Sequence, residues 1–266
     1  MLRIALLLSV SLAVGAARAD DNPTVGQVVY STVREPEGYS PAAFAAPLLE
    51  RELVRQAFLL AARDELGLST RDVLLREDFP RPPDEKSQPF EFVCRASRGK
   101  KDFDVEYLLR RRQGTAHQTL WTWTYNTDIN NPKSLEILAE KAEALSRGEL
   151  KDVLTRAGWG RTPPAARASA DVSSETRELL WSWNEISVLG GLRRVHAEIR
   201  ARGEAPELLG ALTIGYANLG TLTEYHFAAG WKACYARALL YAERLLRKTD
   251  ESPSALWHRA YVRTQV

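Results

Sequence analysis

Apolar side chains at Leu48, Leu49, Leu53, Ala57, Leu60 and Ala61 recur every three or four positions, which gathers them into one stripe and predicts a helix over Ala42 to Leu66. Gly67 follows as a helix-ending residue, and Ser69 with Asp72 suggests one further turn. Pro80, Pro82 and Pro83 then interrupt any regular pattern. The period changes at Phe90. Phe90, Phe92, Cys94 and Ala96 alternate with Glu91, Arg95 and Ser97, as in a strand with one wetted face. The alternation repeats at Phe103, Val105, Tyr107 and Leu109, and Thr119 to Tyr125 is dense in Thr, Trp and Tyr, which suit a pleated surface. Turns at Ser97 to Lys101 and at Gln113-Gly114-Thr115 join these segments into a predicted three-stranded antiparallel meander. Leu135, Leu138, Ala139, Ala142 and Leu145 restore helical spacing behind Pro132, and Leu150 to Ala157 extends it to Gly158. Residues 20–160 therefore read as an α+β module of helix, three-stranded antiparallel meander and helix.

Residues 161–172 contain two prolines and several alanines, and read as a linker between domains. From Ser173 to Val266 the periodicity is helical throughout, an all-α region of helical hairpins. Ser173 or Ser174 is expected to cap a helix running to Leu189, Gly190-Gly191 to break it, and Leu192 to Arg202 to form the next. Gly203 ends that helix, Pro206 starts another that Gly220 ends, Trp231 to Lys248 follows Gly230, and Ser252-Pro253 opens the last. Leu256, Trp257, Ala260 and Tyr261 form an apolar stripe on that last helix. Repeat arrays close on a polar face, so a further helix, another molecule or Trp231 to Leu246 is expected to cover it.

Helices in pairs, separated by Gly and restarted at Pro, form the sequence pattern of a helical-repeat array. With Leu209, Leu212, Tyr216 and Gly220, the segment PELLGALTIGYANLG resembles the first helix of a tetratricopeptide repeat, Leu209 taking the place usually held by Trp. Thr213 stands where that family has a small residue, and Pro253 follows Pro206 by 47 residues, not the ~34 of that family. The resemblance over residues 173–266 implies an irregular tetratricopeptide-like array with a protein-binding or scaffolding role on a concave surface. Residues 20–160 resemble no named family.

The start of the chain changes the setting. Arg3 precedes an apolar run from Ile4 to Val14, and Ala17-Arg18-Ala19 has the small-x-small form of a signal-peptidase site, so cleavage is expected between Ala19 and Asp20. The run is shorter than the roughly twenty residues a membrane span needs, and no later segment reaches that length, so no membrane span is expected after cleavage. Arg3 and Arg18 account for the net charge of +2; without them 34 of the 36 basic residues remain, matching 34 acidic ones. A balanced, exported chain is a poor partner for nucleic acid. The expected location is periplasmic or extracellular, where Cys94 and Cys234 have the option of pairing or of packing as two buried thiols.

Local catalytic signatures are few. His196-Ala197-Glu198 matches a fragment of the zinc-deaminase motif, but no P-C-x-x-C segment supplies the other ligands, and the pair is expected on the wet side of a helix. Glu224-Tyr225-His226 points its two polar side chains about 200° apart on a helix, too far round to share a metal. No G-x-S-x-G elbow, phosphate loop or H-E-x-x-H occurs, and no cofactor or metal is implied. Arg110-Arg111-Arg112 is expected at a solvated sheet edge, and Trp121, Trp123 and Tyr125, on one strand face, in a core rather than stacked on sugars. Trp181, Trp183, Trp231 and Trp257 are expected to fill gaps between helices. Asn184 and Asn218 stand on otherwise apolar helices and are the candidate binding residues. The favoured reading is an exported, non-catalytic scaffold that binds a protein or peptide through its helical hairpins; the alternative is an exported hydrolase with a dispersed active site.

Overall fold

The computed structural model describes residues 24–25, 41–66, 69–70, 90–98, 103–113, 116–127, 131, 133–158, 164–225 and 230–266. The described residues are mostly helical, with a small antiparallel sheet and one short parallel pair. Helix α1 spans Pro41–Leu60 and passes directly into a π-helical turn at Ala61–Glu65. Leu53, Val54, Ala57, Phe58, Leu60 and Ala61 are all buried, so the stripe read from the sequence belongs to a helix enclosed on more than one side. The expected further turn at Ser69 is not helical: Ser69–Thr70 (β2) lies parallel to Thr24–Val25 (β1). The expected cap at Gly67 and the cleavage site at Ala19 and Asp20 lie outside the described residues.

Phe90–Arg98 (β3), Phe103–Gln113 (β4) and Ala116–Thr127 (β5) pair antiparallel in that order. Register places Phe92 opposite Leu109 and Leu109 opposite Trp121, so one face gathers the large apolar residues and Phe92 stacks on Phe58 of α1 at 5.2 Å. On the other face of β5, Thr122, Thr124 and Asn126 are exposed. The alternation of Thr with Trp along β5 separates a buried face from a wetted one, and on the middle strand Leu108 is buried on the second face. Arg110 and Arg111 do not edge the sheet: β4 is its middle strand, with Glu91 opposite Arg110 on one side and Gln118 opposite Arg111 on the other.

Helices α2 (Ser134–Arg147) and α3 (Glu149–Arg156) follow, then α4 (Ser174–Leu180), α5 (Glu185–Arg202), α6 (Pro206–Thr223), α7 (Gly230–Lys248) and α8 (Pro253–Arg263). The helix break expected at Gly190-Gly191 occurs earlier, at Trp181 to Asn184, and both glycines lie inside α5. Asn184 starts the new helix by accepting a hydrogen bond from the Ser187 amide at 3.1 Å. Gly191 serves close packing instead: a Cβ there would lie 2.9 Å from the Leu180 side chain of α4. Gly220 likewise does not end α6, which continues to Thr223. Gly203 does end α5, at φ +88, where a Cβ would meet the Ala165 carbonyl oxygen at 2.0 Å.

Helix α7 sits at the centre, packed on α1, α2, α6 and α8. Its apolar residues join Leu53, Phe58, Leu138, Val188 and Leu212 in one buried cluster that runs across the expected boundary at residues 161–172. The described part of that stretch is pinned to the helices. The Arg167 amide donates to the Glu204 carbonyl at 2.6 Å, the Ala170 amide donates to Glu207 at 2.9 Å, and Val172 is buried.

Candidate functional site

Two constellations of polar and aromatic side chains stand out, one sealed and one open. The sealed one forms where the π-helical turn meets α5, α6 and α7. Widening the helix at Ala61–Glu65 presents consecutive charged residues to the interior, a device that recurs at special sites in helices. Asp64 accepts from the Tyr241 hydroxyl at 2.8 Å and from Arg63 Nε at 3.0 Å. Arg63 Nη2 lies 3.2 Å from His196 Nε2, which is 2.8 Å from the Tyr216 hydroxyl. Behind them Arg244 is fully buried, with Glu204 at 2.7 Å, Glu65 and Glu143 at 3.3 Å and Asp64 at 3.8 Å.

Burial alone would raise the Asp64 carboxyl, but the Arg63 and Arg244 guanidinium groups overcome it and hold the group well below the usual carboxylate range. Burial, helped by Arg63, keeps His196 neutral by pushing its pKa well below the ordinary imidazole value. Burial pushes the Tyr241 phenol well up, and the Asp64 charge pushes it further. His196 is thus inside the molecule and not on the wet side of α5, while Glu198 pairs with Arg167 at 3.0 Å. These groups satisfy one another, so the cluster's evident work is to fix α1, α5, α6 and α7 in one arrangement. His226 of the Glu224-Tyr225-His226 triplet lies outside the described residues.

The open constellation lies between α4, α6 and α8. A cavity of about 450 Å³ is walled by Leu180, Ile214, Leu245 and Trp257, with Arg177, Ser254 and His258 supplying polar groups. His258 Nδ1 is 2.7 Å from the Ser254 carbonyl oxygen and serves as the donor to it. Gly210 makes room for the ring, since a Cβ there would lie 2.7 Å from His258 Nε2. Beside it a second cavity of about 140 Å³ is lined by Trp181, Trp183, Asn218, Thr221, Tyr261 and Gln265. Trp181 borders both, so the two cavities adjoin. Trp257 stacks on Tyr261 at 5.6 Å, and Trp181 meets Tyr261 edge-on at 5.8 Å.

The candidate residues separate here. Asn218 borders the small cavity and is held rigidly: its Nδ2 donates to the Leu180 carbonyl at 2.8 Å, and its Oδ1 accepts from the Tyr261 hydroxyl at 2.7 Å. Asn184 caps α5 three residues after Trp181. The structure also relocates residues expected as packing. Trp183 is 87% exposed and Trp181 and Trp257 are each 51% exposed, whereas Trp121 and Tyr125 are buried on the inner face of the sheet. The sequence cue for this was the Ser-Trp-Asn-Glu run from Ser182, a turn followed by a helix cap, which places the preceding tryptophans at a corner. Among the described residues no cluster of His, Cys, Asp or Glu is arranged to hold a metal ion, and no helix is long and apolar enough to cross a membrane. Comparison with family models, with curated proteins and with solved structures returned no match.

Proposed function

We propose that the chain is an exported, non-catalytic scaffold whose C-terminal helical hairpins, an irregular tetratricopeptide-like array, bind a peptide segment of a partner protein in the groove between α4, α6 and α8. The observation that carries this reading is the groove itself: two adjoining cavities that share Trp181, beside three large aromatic side chains left open to water. Large apolar surface kept in contact with water costs roughly 25 cal/mol per Å², and contiguous patches of it mark binding surfaces. A volume of about 450 Å³ is in the range that takes an apolar side chain and its neighbours, and the amide and hydroxyl groups of Asn218, Thr221 and Gln265 are suited to the polar backbone of a peptide. Export to the periplasm or beyond rests on the Ala17-Arg18-Ala19 site and places the partner in the same compartment.

The test is selection of random dodecapeptides on the immobilised chain, followed by affinity measurement on the wild type and on Trp257→Ala. Enriched peptides should share a large apolar residue and lose at least about ten-fold in affinity on the variant. Peptides that bind both proteins equally, or no enrichment at all, would remove the groove as the binding surface.

A further inference from the structure

The small cavity differs from its neighbour in chemistry. Three aromatic rings, Trp181, Trp183 and Tyr261, share its wall with neutral polar residues, and none of the residues lining it carries a positive charge. An aromatic ring presents a negative face to a cation, an attraction worth roughly 0.5 to 2 kcal/mol depending on how far water is excluded. We propose that this cavity is a site for an alkylammonium group, supplied by a lysine side chain of the peptide held in the groove. The inference rests on the peptide-binding reading and adds to it the chemistry of one subsite.

Charge around the cavity favours the same occupant. Glu178 lies three residues before Trp181, Glu185 two after Trp183, and Glu224 two after Leu222, which also lines the cavity. Of the basic residues on the lining helices α4 and α8, Arg177 pairs with Asp171 at 3.3 Å, Arg259 with Glu136 at 3.3 Å, and Arg263 also with Glu136. A cation entering the cavity thus meets aromatic side chains and no lining group of its own charge. The Tyr261 hydroxyl donates to Asn218, which holds that ring in place before any ligand arrives. A volume of about 140 Å³ admits an ammonium group with its adjoining methylenes. The neighbouring cavity of about 450 Å³ is left for an apolar side chain of the same peptide.

The experiment uses the chain purified from a secreting host and labelled with 5-fluorotryptophan, with Trp183→Leu to assign the Trp183 signal. Four probes are titrated by fluorine NMR: N-acetyl-lysine methylamide, its norleucine counterpart, choline, and N-acetyl-leucine methylamide. The lysine probe should shift the Trp183 signal and bind roughly ten-fold more tightly than the norleucine probe, a difference of about 1.4 kcal/mol. Trp183→Leu should remove most of that preference while leaving the thermal midpoint in place, because the ring it removes is 87% exposed. Equal binding of the lysine and norleucine probes would overturn the proposal, since the cavity would then be merely apolar. Binding of choline without the lysine probe would overturn the lysine source. If the leucine probe moves the Trp257 signal while no cation moves Trp183, the groove stands as a peptide site and the cation subsite falls. If none of the probes binds, both readings fall together.

Discussion

Replacing Arg244 with Leu tests whether the sealed polar cluster holds the helices together. The guanidinium is fully buried and lies within 4 Å of four carboxylates, those of Glu204, Glu65, Glu143 and Asp64. Burial opposes its charge, but the carboxylates overcome that and raise its pKa above the ordinary arginine value. Removing one partner of a buried ionic group costs roughly 3 to 5 kcal/mol, because the remaining charges stay out of water without compensation. The loss does not multiply by four. Asp64 keeps Arg63 at 3.0 Å, Glu143 keeps Arg247 at 2.7 Å and Glu65 keeps Lys151 at 3.8 Å, so Glu204 bears most of it. The expected cost is therefore about 3 to 4 kcal/mol, a large share of the roughly 5 to 15 kcal/mol that holds a folded protein together. Urea unfolding followed by tryptophan fluorescence measures it. Arg244 pulls the Asp64 and Glu65 carboxyls down, so without it both rise in the folded state, and the stability deficit should grow as pH climbs above the ordinary carboxylate range and shrink as protons return. A deficit under about 1 kcal/mol, or one that does not change with pH, would refute the argument that these charges are buried and mutually dependent.

Adjacent glycines in α5 should respond with opposite signs. Gly190→Ala adds a methyl group in open space and should stabilise by roughly 0.5 to 1 kcal/mol, whereas Gly191→Ala drives a Cβ to within 2.9 Å of Leu180 and should destabilise. Two stabilising substitutions in chemical denaturation would mean that α4 does not pack against α5 at this point. Glu243 is raised by burial to about 7, with Arg259 opposing the rise, so its contribution to stability is present below about 4.5 and is lost as pH climbs through 7. Glu243→Gln should therefore gain on the wild type between pH 5 and pH 8 in thermal melts, and a constant difference across that range would count against the buried carboxyl. Protein recovered from a secreting host should have an intact mass beginning at Asp20; a mass that retains Met1 would replace export with an uncleaved leader.

The elements that periodicity marks are those whose environment is uniform along their length. The alternation of Phe103, Val105, Tyr107 and Leu109 locates β4, and the spacing of Leu135 to Leu145 locates α2, because each segment keeps one period of apolar positions from end to end. Pro206 and Pro253 mark the starts of α6 and α8 because a residue without an amide hydrogen is tolerated at the first turn. Glycine was the misleading letter. Gly191 reads as a helix break only while Leu180 is unknown, since the need for a missing side chain comes from a residue on another helix.

The groove was illegible for a related reason. Trp181, Asn218 and Tyr261 come from three helices and meet only after α4, α6 and α8 pack, so no spacing within one segment announces them. Hydrophobic counting also treats an exposed tryptophan and a buried one alike, and here it placed Trp183 in a gap between helices when the short α4 leaves it beyond the helix end and open to solvent. What distinguishes the two cases is the cost of leaving the ring wet, which a sequence pattern does not register. That cost links the structure to the proposed role: the Trp181–Asn184 corner leaves two rings open to water beside a tyrosine fixed by Asn218, and a ligand that covered those rings would recover the cost of wetting them.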